Sequence, residues 1–163
     1  MNLILKLKTW QIFLLLMSPR ILMLFFLNNP FYTDLLIGIN PLLFFGFLIL
    51  SYEFLRQFSQ KKRPIQRILF FLFNLIFMYL FCTMLVNGYG LDFLETVLLM
   101  PFFCLMMGYI LYILARKLNN AEKAHYLKSY GIFVYMLLFL LLPIGIWILV
   151  PQMKKLKELV RLN

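Results

Sequence analysis

Few residues in this 163-residue chain carry side chains that can do chemistry, and they sit inside or beside long apolar runs. Arg20 is the most unusual. It falls deep in an apolar stretch directly after Pro19. Arginine at the centre of a membrane helix costs about 2.5–3.5 kcal/mol on insertion scales, so such a residue either contacts a substrate or ion or snorkels to an interface. Snorkelling is the favoured reading, and Asp34 and Asp92 are candidate counter-charges. Asp92 and Glu95 stand three apart, on one helix face, where two carboxylates can hold a cation or carry protons. Acids at the start of a helix also offset its macrodipole, and that simpler role is favoured. Glu53 and Arg56 share the same spacing and suit a local interfacial ion pair. Asn74 is the main strongly polar group in the third apolar run, where a hydrogen bond to another helix is expected.

The remaining candidates point away from catalysis. His125 is the single histidine and is expected on a solvated loop. It has no Asp/Ser or Cys constellation around it for nucleophilic catalysis. Cys82 and Cys104 lie in apolar runs, outside any CxxC, and read as small buried hydrophobes. The sequence holds no HExxH, GxSxG or phosphate-loop pattern, so neither an enzyme nor a metal or cofactor site is expected. GxxxG is absent too, so tight small-residue helix dimerisation is not encoded.

The elements that position these residues follow from composition. The chain is 64% hydrophobic and only 13% charged, with nineteen Phe, nine Tyr and two Trp. A soluble domain is about 45–50% apolar and about 25% charged. That excess excludes a soluble enzyme, a disordered chain and a nucleic-acid-binding domain. It implies an all-α integral membrane bundle, in one domain over residues 1–163. Five apolar segments are legible: Trp10–Leu27, Leu35–Tyr52, Ile68–Val86, Phe93–Leu114 and Gly131–Val150. About 20 helical residues span a bilayer core. Kinks are expected at Pro19, Pro41 and Pro143, with Gly145 beside the last.

The net charge of +10 is distributed unevenly. Residues 53–67 carry Arg56, Lys61, Lys62, Arg63 and Arg67, and residues 115–130 carry Arg116, Lys117, Lys123 and Lys128. Residues 28–34 and 87–92 carry no base. With Lys6 and Lys8 also on the inner side, the positive-inside rule places the N-terminus in the cytoplasm, as an uncleaved signal-anchor. Lys154, Lys155, Lys157 and Arg161 of the tail make the difficulty, because five spans put them outside. Five spans are favoured, since twenty apolar residues insert readily. The alternative is four spans, with the fifth segment turning back at Pro143-Ile144-Gly145. Residues 152–163 read as a short amphipathic surface helix, with Met153, Leu156, Leu159 and Val160 at helical spacing.

Three stretches carry a likeness. They are Leu7-Lys8-Thr9-Trp10-Gln11-Ile12-Phe13-Leu14-Leu15-Leu16, Ala115-Arg116-Lys117-Leu118-Asn119-Asn120-Ala121-Glu122 and Pro143-Ile144-Gly145-Ile146-Trp147. In order and spacing the chain resembles a group of small uncharacterised polytopic membrane proteins of Bacteroidota. These open on LKxWQxFLLL and close on FPIGIWxxQPRINK. The closing QPRIN is not intact here, where Leu149-Val150-Pro151-Gln152-Met153 stands. The resemblance implies a bacterial inner-membrane setting and no particular chemistry. Two functional classes follow. The first is a non-enzymatic accessory or interaction subunit, with the lipid bilayer and a membrane protein or a second copy as partners. The second is an oligomeric small channel or transporter lined by Arg20, Asp92 and Glu95.

Overall fold

The structure is a computed structural model that describes residues 7–26, 29–58, 64–86, 93–125 and 127–162; of residues 30, 82–86, 93–99 and 160–162 it describes the backbone alone. Every described element is helical: α1 (Thr9–Phe25), α2 (Pro30–Arg56), α3 (Pro64–Val86), α4 (Phe93–Ala124), α5 (Ile132–Leu140) and α6 (Leu142–Leu162). Among the described residues three stretches are long and apolar enough to cross a membrane, Phe31–Arg56, Pro64–Phe81 and Met100–Ala124. The apolar helix α1 is shorter, at 17 residues.

The helices extend past the apolar runs because charge does not end a helix. Prolines begin α2 and α3, where the first turn does not need the missing N–H. The fourth segment does not stop at Leu114 but continues to Ala124. Ala115, Arg116, Lys117, Leu118, Ala121 and Glu122 are good helix formers, and Leu118, Ala121 and Glu122 keep the buried stripe going. Much of the expected loop 115–130 is therefore helix.

α1 and α2 run through Pro19 and Pro41 as single helices, with both prolines buried. Pro19 leaves the Leu15 carbonyl without its usual donor. The Ser18 hydroxyl supplies one at 2.9 Å. At the start of α1, Gln11 Oε1 accepts the Lys8 backbone N–H at 2.8 Å.

The fifth apolar segment departs most from a single span. It is two helices that break at Leu141 and fold back on one another. An added Cβ at Gly145 would lie 1.9 Å from the Leu138 carbonyl oxygen. A straight helix would hold residues seven apart about 10 Å from each other, so this contact requires a reversal. Only glycine permits it. Pro143 stands in the first turn of α6, where it cannot prolong α5. α5 begins after Gly131, whose φ of 92° lies in the left-handed region that favours glycine.

Ring and hydrogen-bond contacts fix the order of packing. Tyr52 stacks on Phe70 and Phe45 meets Phe77, so α2 and α3 are antiparallel. Phe73 meets Tyr109 and Phe77 meets Phe103, so α3 and α4 are antiparallel too. α6 returns along α1: Phe13 meets Trp147, and Lys154 Nζ donates to the Leu7 carbonyl at 2.7 Å. The tail thus ends beside the start of α1. It is the continuation of α6 rather than a separate surface helix, since Met153 and Leu156 are buried in the bundle core.

The core runs along α4 (Ile110, Leu114, Leu118) and is closed by Leu48 and Leu55 of α2, Tyr135 and Phe139 of α5, and Ile146 and Leu149 of α6. α3 buries one stripe, Phe70, Asn74 and Phe77, and exposes Ile65, Ile68, Leu72, Leu75 and Tyr79. Large apolar side chains also face outward from α1, α4, α5 and α6. In water such a surface would far exceed the few hundred Å² of a soluble monomer's apolar patch. Against acyl chains it is matched.

Candidate functional site

The polar side chains converge at one end of the bundle, where α1 begins, α2, α4 and α6 finish, and α3 and α5 start. We call this the basic end. Two buried glutamates organise it, one on α2 and one on α4.

Glu53 of α2 forms an ion pair with Arg56 Nε at 3.3 Å, one turn along the same helix, and accepts a hydrogen bond from Arg67 Nε of α3 at 2.8 Å. The spacing of Glu53 and Arg56 predicted the first pair, and the second crosses between helices. The Glu53 side chain is 11% exposed, against 33% for Arg56 and 45% for Arg67. The carboxylate is held under two guanidinium groups that keep water on their outer faces. Arg67 also lies over the Phe71 ring, and Lys117 of α4 sets its ammonium 4.9 Å from the centre of the Tyr52 ring. His125 packs edge-on against Phe58 and is half-buried rather than free in solvent.

Glu122 of α4 is fully buried. Its Oε2 accepts the Tyr135 hydroxyl of α5, and that hydroxyl in turn accepts the Tyr130 N–H at 3.3 Å. One turn earlier, Asn119 Oδ1 accepts the Ser129 hydroxyl, which accepts the Gly131 N–H at 3.4 Å. The Leu127 N–H bonds the Glu122 carbonyl at 2.9 Å. The chain from Leu127 to Tyr135 is therefore wrapped onto the last turns of α4. Lys155 of α6 lies near enough for its charge to act on Glu122. Glu122 Oε1 has no hydrogen-bond partner among the described residues.

From sequence, Glu122 counted only as an acid within a basic loop. The signal that finds it is the apolar stripe Leu111, Leu114, Leu118, Ala121, which runs on past Leu114 and carries Glu122 to the buried face.

The other candidates are scattered. Asn74 is buried as expected, but its Nδ2 donates to the Phe70 carbonyl of its own helix at 2.7 Å, and its Oδ1 has no partner among the described residues. The amide thus turns to the one carbonyl within reach, four residues back, where facing side chains are apolar. Arg20 lies at the far side of the bundle from Glu53 and Glu122. It is exposed, forms no ion pair among the described residues, and borders an open groove against the 140–144 turn. Asp34 is exposed near the start of α2. Asp92 and the side chain of Glu95 lie outside the described residues, as does the side chain of Cys82. Cys104 is a free, exposed thiol, not a buried one.

These groups are suited to fastening helices. An ion-pair cluster joins α2 to α3, and a buried carboxylate–hydroxyl pair joins α4 to α5. No family model matches the chain, and neither a curated protein nor a solved structure matches it. Fold and site together define an all-helical protein with at least three helices of membrane-crossing length and apolarity.

Proposed function

We propose that this is an integral membrane protein of the bacterial inner membrane that acts as a non-enzymatic accessory or interaction subunit. In this reading α1 to α4 cross the bilayer, α5 and the first half of α6 form a re-entrant hairpin, and both termini are cytoplasmic. The hydrogen bond from Lys154 to Leu7 supports the shared side of the termini. It also resolves the tail charge: every Lys and Arg except Arg20 then belongs to the cytoplasmic side. α5 has nine residues and is about 14 Å long, half a hydrocarbon core.

The observation that carries the subunit role is the filling of the interior. Phe45, Phe77, Phe103 and Phe139 pack between the helices, and the buried acids Glu53 and Glu122 gather at the basic end. A transported solute needs polar groups facing a common path through the bilayer. Arg20, the one intramembrane charge described, stands on the flank. The role is therefore to present surfaces, and α3, the least buried of the three membrane-length helices, offers an outward apolar face. Its occupant is another membrane protein or a second copy.

The test has two parts. With Cys82 and Cys104 replaced by Ser and one Cys added after Asn163, an impermeant maleimide should label lysed cells and spare intact ones. Labelling from outside would restore five spans. Photo-crosslinking from Leu72 and Leu75 in living cells should give a discrete protein adduct absent from Trp147. Lipid adducts alone at all three positions, with solute flux through reconstituted vesicles, would replace the subunit with the channel or transporter reading.

A further inference from the structure

Arg20 lies thirteen residues beyond Leu7, about 20 Å along α1 from the basic end. It closes one side of a groove of about 260 Å³. The other walls are Leu16 and Met17 of α1, Phe44 of α2 and the 140–144 turn of the hairpin. The hairpin makes this groove. By reversing at Leu141 it stops short beside α1 and α2, and leaves a step where a full-length fifth helix would have filled the space.

The step has two chemistries. Its floor is apolar, and its rim carries a guanidinium. Asp34, the nearest acid in sequence among the described residues, is exposed and forms no ion pair with it. A guanidinium at this depth gains most from a planar or tetrahedral oxyanion that it can grip with two N–H groups. An apolar floor suits an alkyl chain attached to that oxyanion. The volume lies below the roughly 300–1,000 Å³ of pockets that enclose a whole small molecule. It fits part of an amphiphile whose remainder stays in the bilayer.

We infer that the groove between α1, α2 and the hairpin apex is a lipid site, in which Arg20 binds the phosphate of an anionic phospholipid and one acyl chain lies against Leu16, Met17 and Phe44. The lipid belongs to the leaflet opposite the basic end. That leaflet assignment rests on the four-crossing reading above, whereas the binding itself does not. The tail-cysteine label tests the crossing number separately, so either can fail alone.

Delipidated full-length protein in mild detergent can be titrated with dioleoyl phosphatidylglycerol, dioleoyl phosphatidylcholine and oleate, and the adducts counted by native mass spectrometry. The wild type should take up one phosphatidylglycerol at a concentration at least tenfold below that needed for phosphatidylcholine or oleate. Arg20→Gln should erase that preference, while Arg116→Gln, an exposed cation at the basic end, should leave it intact. Met17→Trp fills the groove without touching the charge and should weaken the first adduct at least fivefold. It stands in for Arg20→Gln if that variant does not fold. Equal uptake of phosphatidylglycerol and phosphatidylcholine by the wild type would overturn the site. So would a preference that survives both variants. Oleate bound as well as phosphatidylglycerol would overturn the phospholipid assignment in favour of a carboxylate amphiphile.

Discussion

Two helix pairs meet at the basic end, and each is tied by one glutamate. In the α2–α3 pair, Glu53 is neutralised by two arginines that remain partly in water. In the α4–α5 pair, Glu122 is sealed from water and answered by a tyrosine hydroxyl. The first arrangement keeps its charges hydrated on one side, so each contact contributes little and can be replaced by solvent. The second has no solvent to fall back on, so losing its donor leaves a buried acceptor bare. The difference reflects what each pair must do. α2 and α3 are long and hold each other through a series of contacts from Glu53–Arg67 through Tyr52 on Phe70 to Phe45 on Phe77. α5 is nine residues long and is followed by a reversal, and it is fixed against α4 through Tyr135 and Phe139, both fully buried.

The largest effect should come from the reversal at the far end of α5. Gly145→Ala places a Cβ on the Leu138 carbonyl, where backbone must move. A cost of about 4 kcal/mol or more is expected, in the class of severe backbone and overpacking lesions. Gly46 of α2 is the matched control, because nothing lies within 4 Å of an added Cβ there. Gly46→Ala should be neutral or stabilise by up to about 1 kcal/mol through helix propensity. Thermal unfolding of the two variants in one detergent checks the contrast. Equal melting temperatures would mean that the hairpin does not depend on close backbone approach.

Next in size is the buried pair. Tyr135→Phe keeps the ring and removes the donor, so Glu122 loses its side-chain partner from α5. The expected loss is about 1–3 kcal/mol. Adding Glu122→Gln to Tyr135→Phe should recover part of it, because a neutral amide is less costly to bury than an unpaired carboxylate. Chemical unfolding of the two single variants and the double variant gives the coupling directly. Additive losses would show that the two groups stabilise α4 and α5 independently.

What sequence could and could not reveal follows the same division. The apolar runs, the clustering of bases and the Glu53–Arg56 pair are local patterns, and all three are legible in the residues. Helix ends were harder. Ala115 to Ala124 looked like a loop because its residues are charged, although their helix propensity and the stripe through Leu118 and Ala121 say otherwise. The reversal at Leu141 could be read only as one of two outcomes. Pro143 and Gly145 suit a kink as well as a turn, and what decides between them is a contact with Leu138 and a returning path along α1. Glu122 was missed for a related reason: its partner Tyr135 lies thirteen residues on and arrives only because the 127–131 connection folds back.

The smallest effect separates the two arginines on Glu53. Arg67 reaches the carboxylate at 2.8 Å from a different helix, whereas Arg56 reaches it at 3.3 Å from the next turn of the same one. Removing Arg67 also removes its contact over Phe71. Arg67→Ala should therefore destabilise by about 1 kcal/mol, and Arg56→Ala by no more than about 0.5 kcal/mol. Both losses should shrink as salt rises from 0.05 to 0.5 M, on the order of the change from a long to a short screening length. The Tyr135→Phe loss should not, because no mobile ion reaches a fully buried carboxylate. Melting curves of the three variants across that salt series place both glutamates on one scale. A salt-sensitive Tyr135→Phe would mean that Glu122 opens to water, and the contrast between the two pairs would then be one of degree.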